Sequence, residues 1–264
     1  MRLAAVPRRL ALLAAVLLVT GVCGCSQLLG ARAEVRERRK FIIEADRLRL
    51  DLPRSERPYE MRVQIERFSV SRFYDKDQIV FRLTPEEIRD DRYNSWAVRP
   101  SEMVTNTVAD YLRRTRLFTD LRDTFLDATP DYTLTGTIDA IERFDSGDRW
   151  YARLAATLQL VDRQHQIFWQ YRFQPTEVEV FDADMASTVR ALRDLLRMNM
   201  EQAIGSLDRA LLIRKTSLAG GDVNALLEPP LPGMVPGATG ADTSGTPRET
   251  QDYIIVPGKL LPED

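Results

Sequence analysis

Beyond residue 25 the chain has no cysteine, and its 264 residues include one histidine, His165. The cysteines it does have, Cys23 and Cys25, sit near the start, so no internal disulfide can form once a leader is removed. No group of His, Cys and carboxylates has zinc-ligand spacing. His165 lies in the polar stretch DRQHQ, where a lone imidazole is solvated rather than ligating. GxSxG, GxxxxGK[ST] and GxGxxG are absent, which removes the nucleophile-elbow, P-loop and dinucleotide-binding classes. Positive charge is not in excess: 37 Lys+Arg face 39 Asp+Glu, a net charge of −2, which argues against nucleic acid as a partner. No apolar run reaches the roughly 20 residues that span a bilayer. Carboxylates are plentiful, with Glu86, Glu87, Asp90 and Asp91 together in PEEIRDDR. That cluster lacks the glycine and ligand spacing of an EF-hand. Interleaved with Arg89 and Arg92, it is expected to be a solvated loop or helix face. No enzyme, metal or cofactor is expected; a periplasmic hydrolase would need a substrate pocket that the sequence does not display.

What is present begins with an address. Arg2, Arg8 and Arg9 precede an apolar run over residues 10–19, a basic segment followed by a secretory core too short for a membrane span. VCGC, residues 22–25, resembles the bacterial lipobox: an aliphatic residue, small residues, then the cysteine that is acylated and becomes the mature N-terminus. Cys25 fits because Gly24 precedes it, and Cys23 fits badly because Val22 does. The other reading is a plain secretory signal with two incidental cysteines. Acylated Cys25 would carry enough methylenes for stable anchoring, at about 0.8 kcal/mol each. Ser26 follows, where an aspartate would signal retention at the inner membrane, so the outer membrane is expected by resemblance to lipoprotein sorting. Removing the three arginines of the leader leaves a net charge of −5 on about 240 residues, enough for one or two domains.

The chain divides into a leader over 1–24, the lipidated Cys25 with a charged tether to 39, a folded domain over 40–214, and a tail over 215–264. From Gly220 the composition turns to Pro, Gly, Ala, Thr and Asp, which cannot bury enough surface to offset ordering entropy. Residues 219–262 are therefore expected to be mostly disordered. Within them YIIVPG, residues 253–258, is either a strand that docks on a sheet edge or a partner, or an apolar fragment of the tail.

Between leader and tail, strands and helices alternate. KFIIEA (40–45) is a short candidate strand. In YEMRVQIERF, Tyr59, Met61, Val63 and Ile65 alternate with polar residues, the period of two of a half-buried strand. QIVFRL (78–83) is a second. In DYTLTGTIDAIERF, Tyr132, Leu134, Gly136 and Ile138 share one face, with Thr133, Thr135 and Thr137 opposite. RWYARLAATLQLVD and IFWQYRF alternate in the same way, and DRQHQ (162–166) joins them as a hairpin. The first helix is expected over 101–116, capped by Ser101 behind Pro100, with Met103, Val104, Val108, Tyr111 and Leu112 in its apolar stripe. The second is expected over about 183–212, with Leu192, Leu196, Ile204 and Leu207 inward and room for a break near Gly205. These elements predict an α+β fold: a two-layer sandwich, a mainly antiparallel or mixed sheet with two helices packed on one face.

DRYNSWAVRP (91–100) fits no period. It places Tyr93 and Trp96 just ahead of the first helix. Packing at the strand–helix junction is the expectation for Trp96, and a partner-binding platform at Tyr93 and Trp96 is the sharper reading.

The same stretch carries a resemblance. IVFR (79–82), an acidic segment, the aromatic cluster 93–97, Pro100, an amphipathic helix ending at Leu117-Phe118, then DYTLTGTIDAIERF, a hairpin and a long last helix follow in this order. The order resembles the ABC-type transport auxiliary lipoproteins, the PqiC-like group, over roughly residues 40–212, and the lipobox agrees with it independently. The resemblance implies an adaptor lipoprotein on the periplasmic face of the outer membrane. It would receive an MCE-domain protein and its ABC transporter, form a homo-oligomeric ring and contribute to lipid trafficking. The covalent lipid on Cys25 would be its only added group. The alternative is a periplasmic lipid carrier with its pocket between sheet and helix.

Overall fold

The computed structural model describes residues 37–50, 52, 58–126 and 128–221. Among them are ten strands: β1 (Arg39–Phe41), β2 (Tyr59–Ile65), β3 (Ser69–Val70), β4 (Gln78–Arg82), β5 (Ile88–Trp96), β6 (Phe118–Arg122), β7 (Tyr132–Ser146), β8 (Arg149–Asp162), β9 (Ile167–Arg172) and β10 (Glu177–Val180). Two helices accompany them, α1 (Pro100–Thr115) and α2 (Met185–Leu218).

The β7–β8 hairpin organises the sheet. Its 15 and 14 residues pair along their whole length, from Tyr132 opposite Asp162 to Ser146 opposite Arg149. Gly147, with φ 67°, opens the two-residue turn, where a side chain would be strained. Leu134 and Ile138 pair with Leu160 and Ala156 on one face, while Thr133, Thr135 and Thr137 pair with Val161, Gln159 and Thr157 on the other. A bulge between Ile138 and Ala140 resets the alternation. Beyond it Ile141 continues the inner face opposite Leu154, and Glu142 lands on the outer face opposite Arg153.

The free edge of β7 takes three parallel partners in succession: β2 at Tyr132–Leu134, β3 at Thr137 and Ile138, and β4 at Glu142–Phe144. The free edge of β8 takes β9 and then β10, both antiparallel. The sheet therefore has two different ends. At the base, near Tyr132 and Asp162, the order is β6–β2–β7–β8–β9; at the tip, near Gly147, it is β1–β5–β4–β7–β8–β10. The sheet is open and mixed, and the fold is α+β as expected.

Both helices lie on the inner face, α1 against β3, β6 and β7, and α2 against β8, β9 and β10. α1 begins one residue earlier than expected, with Pro100 in its first turn, and Ser101 does not cap it. The backbone N–H of Ser101 instead donates to the Asp75 carboxylate at 3.2 Å, a cap supplied from a distant loop. α2 runs unbroken through Gly205. Its fully buried Asn199 accepts from the Gln174 N–H at 2.6 Å and donates to the Pro175 carbonyl at 3.0 Å, fastening the β9–β10 connection. KFIIEA yields only Lys40 and Phe41 to the three-residue β1, because Ile43 leaves the sheet to bury itself against α1, its N–H meeting Met103 Sδ at 3.2 Å. PEEIRDDR, expected as a loop or helix face, is instead a tight turn followed by the start of β5.

Candidate functional site

β5 builds the surface on which the sequence placed its aromatic candidates. Val80 pairs with Asp90 but Gln78 pairs with Ser95, so β5 carries extra residues across a bulge. Asp91 organises it: one carboxylate oxygen accepts from the Tyr93 and Asn94 N–H groups at 2.8 and 2.9 Å, and the other from the Asn94 side chain at 2.7 Å. This local competition for backbone donors is what Asp does in turns, and it pushes Arg92 and Tyr93 outward. Tyr93 is 42% exposed. Trp96 is 2% exposed, opposite Phe41 of β1, with its backbone N–H donating to the Asp77 carbonyl at 2.6 Å. Of the two, Tyr93 alone presents a ring to the surface. Beside β1, residues 42–45 and α1 frame a groove of about 350 Å³ lined by Ile42, Val98, Met103, Asn106, Asp110 and Arg114.

A second constellation was not anticipated from sequence. Glu142 is 0% exposed although it lies on the helix-free face of the sheet. One carboxylate oxygen accepts from Arg82 Nε at 2.8 Å and Arg153 Nη1 at 3.3 Å, and the other from the Tyr74 hydroxyl at 2.8 Å. Arg82 also donates to the Tyr74 hydroxyl at 2.9 Å. Burial, and then the Glu142 carboxylate, push the Tyr74 phenol above its ordinary pKa. The arrangement clamps the loop carrying Tyr74 onto the sheet. The available signal was the broken alternation of IDAIER, whose bulge turns Glu142 away from the apolar face.

Between sheet and helices, where a lipid pocket was expected by the carrier reading, the space beside Leu134, Leu158, Trp169, Met200 and Leu207 is about 10 Å³. That is about one water and far below an acyl chain. Trp169 and Tyr171 direct their polar atoms into α2, to Ser206 at 3.1 Å and Gln202 at 2.7 Å. His165 is exposed in the β8–β9 turn with φ 61°. Among the described residues no three His, Cys, Asp or Glu groups gather as metal ligands. No helix among them is long and apolar enough to cross a membrane. Cys25 and the YIIVPG stretch lie outside the described residues.

One solved structure agrees with this architecture. A crystal structure of a Xanthomonas campestris protein of the DUF330 family superposes with a TM-score of 0.55 at 16% identity, covering 66% of this chain and 99% of that one. An uncharacterized protein superposes at 0.45 with 13% identity, over 65% and 99% of the two chains. A PelC dodecamer from Paraburkholderia phytofirmans does so at 0.30 with 13% identity, over 54% and 88%. No curated protein is significantly similar to the chain. The family model of the ABC-type transport auxiliary lipoprotein component matches residues 51–203, from the approach to β2 through most of α2. With more than half of its length matched, this chain belongs to the ABC-type transport auxiliary lipoprotein family.

Proposed function

We propose that the protein is a lipid-anchored adaptor on the periplasmic face of the outer membrane, held there by acylated Cys25. It receives an MCE-domain protein and its ABC transporter and contributes to lipid movement between the membranes. The observation that carries this reading is the family match, which spans β2 to β10, α1 and the first part of α2 rather than a short motif. Among the described residues the space beside Leu134, Leu158 and Trp169 is too small for an acyl chain, which supports an adaptor over a carrier. The open sheet edges and the outward-facing bulge at Tyr93 offer backbone and aromatic contacts to a partner or to further copies of the chain.

The test is a C-terminally tagged full chain, solubilised gently from native membranes, with its companions identified by mass spectrometry. An MCE-domain protein and an ABC ATPase in the eluate are expected, together with a defined oligomer. Cys25→Ala should release the protein from the membrane fraction. A monomer carrying only stoichiometric phospholipid would overturn the adaptor in favour of the carrier.

A further inference from the structure

The tip of the sheet differs from its base in a way the adaptor reading does not use. At the tip, aromatic side chains occupy both faces of the same strands. Phe144 and Tyr151 pair across the hairpin on the helix-free face, their ring centroids 6.0 Å apart. Trp150, one residue on, lies on the opposite face with the Arg143 guanidinium 5.8 Å from its ring. Phe181, directly after the Val180 that pairs with Trp150, is 92% exposed. A partner meeting one face of the sheet would touch half of this set. A planar surface meeting the sheet end-on would touch all of it.

The path of the chain says what that surface is. β4 runs parallel to β7 toward the tip, β5 returns, and β1 runs parallel to β5. Arg39, the first residue of β1, is therefore its tip-ward end. It is fixed there by an ion pair with Asp184 at 2.7 Å. Asp184 follows Ala183, whose carbonyl accepts from Arg143 at 2.7 Å. One short chain of contacts thus joins the start of the folded body to Trp150. The opposite end carries the polar β8–β9 turn, with Arg163, Gln164, His165 and Gln166 all exposed, and its exposed apolar side chains, Leu126 and Leu218, are aliphatic rather than aromatic. Between Cys25 and Arg39 lie 13 residues, which extended reach roughly 45 Å. An anchor on that leash keeps the aromatic tip within reach of the bilayer to which it is attached.

We infer that the tip, through Trp150, Tyr151, Phe144 and Phe181, docks into the headgroup region of the membrane that holds the lipid anchor. This rests on the anchor assigned under the proposed function. Aromatic rings with a polar atom or a neighbouring cation partition to that region. The nearby arginines are already engaged: Arg143 with Asp145, Arg153 with Glu142 and Glu177, and the exposed Arg149 with the Tyr151 side chain and the Glu179 charge. Their charge is compensated within the protein, so the docking is through ring insertion and proceeds on zwitterionic lipid with little dependence on salt. One soft anchor and one aromatic contact together fix an orientation, with β1 and the tip toward the membrane and the base toward the periplasm.

Trp150 is also the reporter. Of the three tryptophans, Trp96 and Trp169 are each 2% exposed and Trp150 is partly exposed. The lipidated full chain, reconstituted in phosphatidylcholine vesicles containing brominated phosphatidylcholine, should show quenched emission. Trp150→Phe should abolish the quenchable component. Phe181→Ser, at a site too exposed to affect folding, should reduce it. Equal quenching of wild type and Trp150→Phe, in protein that floats with the vesicles and carries acyl mass on Cys25, would overturn the docking and leave the anchor standing. Protein without acyl mass on Cys25 that fails to float would overturn both, and the intact mass tells the two outcomes apart.

Discussion

Glu142 shows how a single carboxylate can be buried on the face of a sheet that no helix covers. Its three donors replace the water it lost, and the loop with Tyr74 closes over it. Such clusters contribute little net stability when complete but are costly to break, since removal of one partner leaves charge behind. Glu142→Ala leaves Arg82 without a carboxylate and Arg153 with Glu177 alone, the two side chains being 20% and 29% exposed. Because both guanidiniums can turn partly to water, the expected cost is at the low end for a broken buried pair, about 3 kcal/mol in chemical denaturation. Gly136 is held by a different constraint. An added Cβ would lie 2.7 Å from Cγ of the Phe68 ring, itself buried between β7 and α1. Gly136→Ala is expected to destabilise by about 1–3 kcal/mol through overpacking, visible as a lower thermal midpoint. Gly136 looked like an ordinary inward position, and only the broken alternation of IDAIER marked Glu142, which the bulge at 139 places under Tyr74.

At the scale of elements, the sequence was informative wherever one face is buried and the other wet. The alternation in β2, β7, β8 and β9 and the apolar stripe of α1 announced themselves because burial imposes a period on composition. β5 was hidden for the converse reason. Most of Ile88–Trp96 is exposed or half-exposed, its bulge breaks the period, and its charges read as a loop. β3, β6 and β10 are two to five residues long, too short for any period to register. The parallel docking of β2, β3 and β4 along β7 was equally illegible, since pairing partners far apart in sequence leave no local mark. In α2 the glycine signal misled. Gly205 suggested a break, but the 34-residue helix continues through it, held by buried Met200, Ala203, Ile204 and Leu207 on the sheet. A Cβ at 205 would meet nothing within 4 Å. Gly205→Ala should therefore stabilise the protein by about 0.5–1 kcal/mol, chiefly by narrowing the unfolded ensemble, read as a raised denaturation midpoint with an unchanged slope.

For the molecule as a whole, α2 sets a direction. Its N-terminus is at the tip, where Asp184 meets Arg39. Its last turns are at the base, where Arg214 lies 5.4 and 5.1 Å from the rings of Tyr132 and Phe168 and Tyr59 meets Asp208 at 3.0 Å. The folded body is thus entered at one end and left at the other, the geometry an adaptor needs if one end serves a membrane and the other a partner. The family match stops at residue 203, yet the core does not. Ile204, Leu207, Leu211 and Ile213 are all buried beyond it. At about 1.5–3 kcal/mol each, these four side chains contribute as much as the whole net stability of an ordinary domain. α2 is also terminated within the described residues: the N–H groups of Ala219, Gly220 and Gly221 return to the carbonyls of Lys215, Ser217 and Thr216. A chain ending after Gly221 should keep the cooperative thermal transition of the full protein by circular dichroism, while one ending after Ala203 should have none. A folded product from the shorter chain would mean that the last four turns of α2 are an appendage rather than the closing wall of the core.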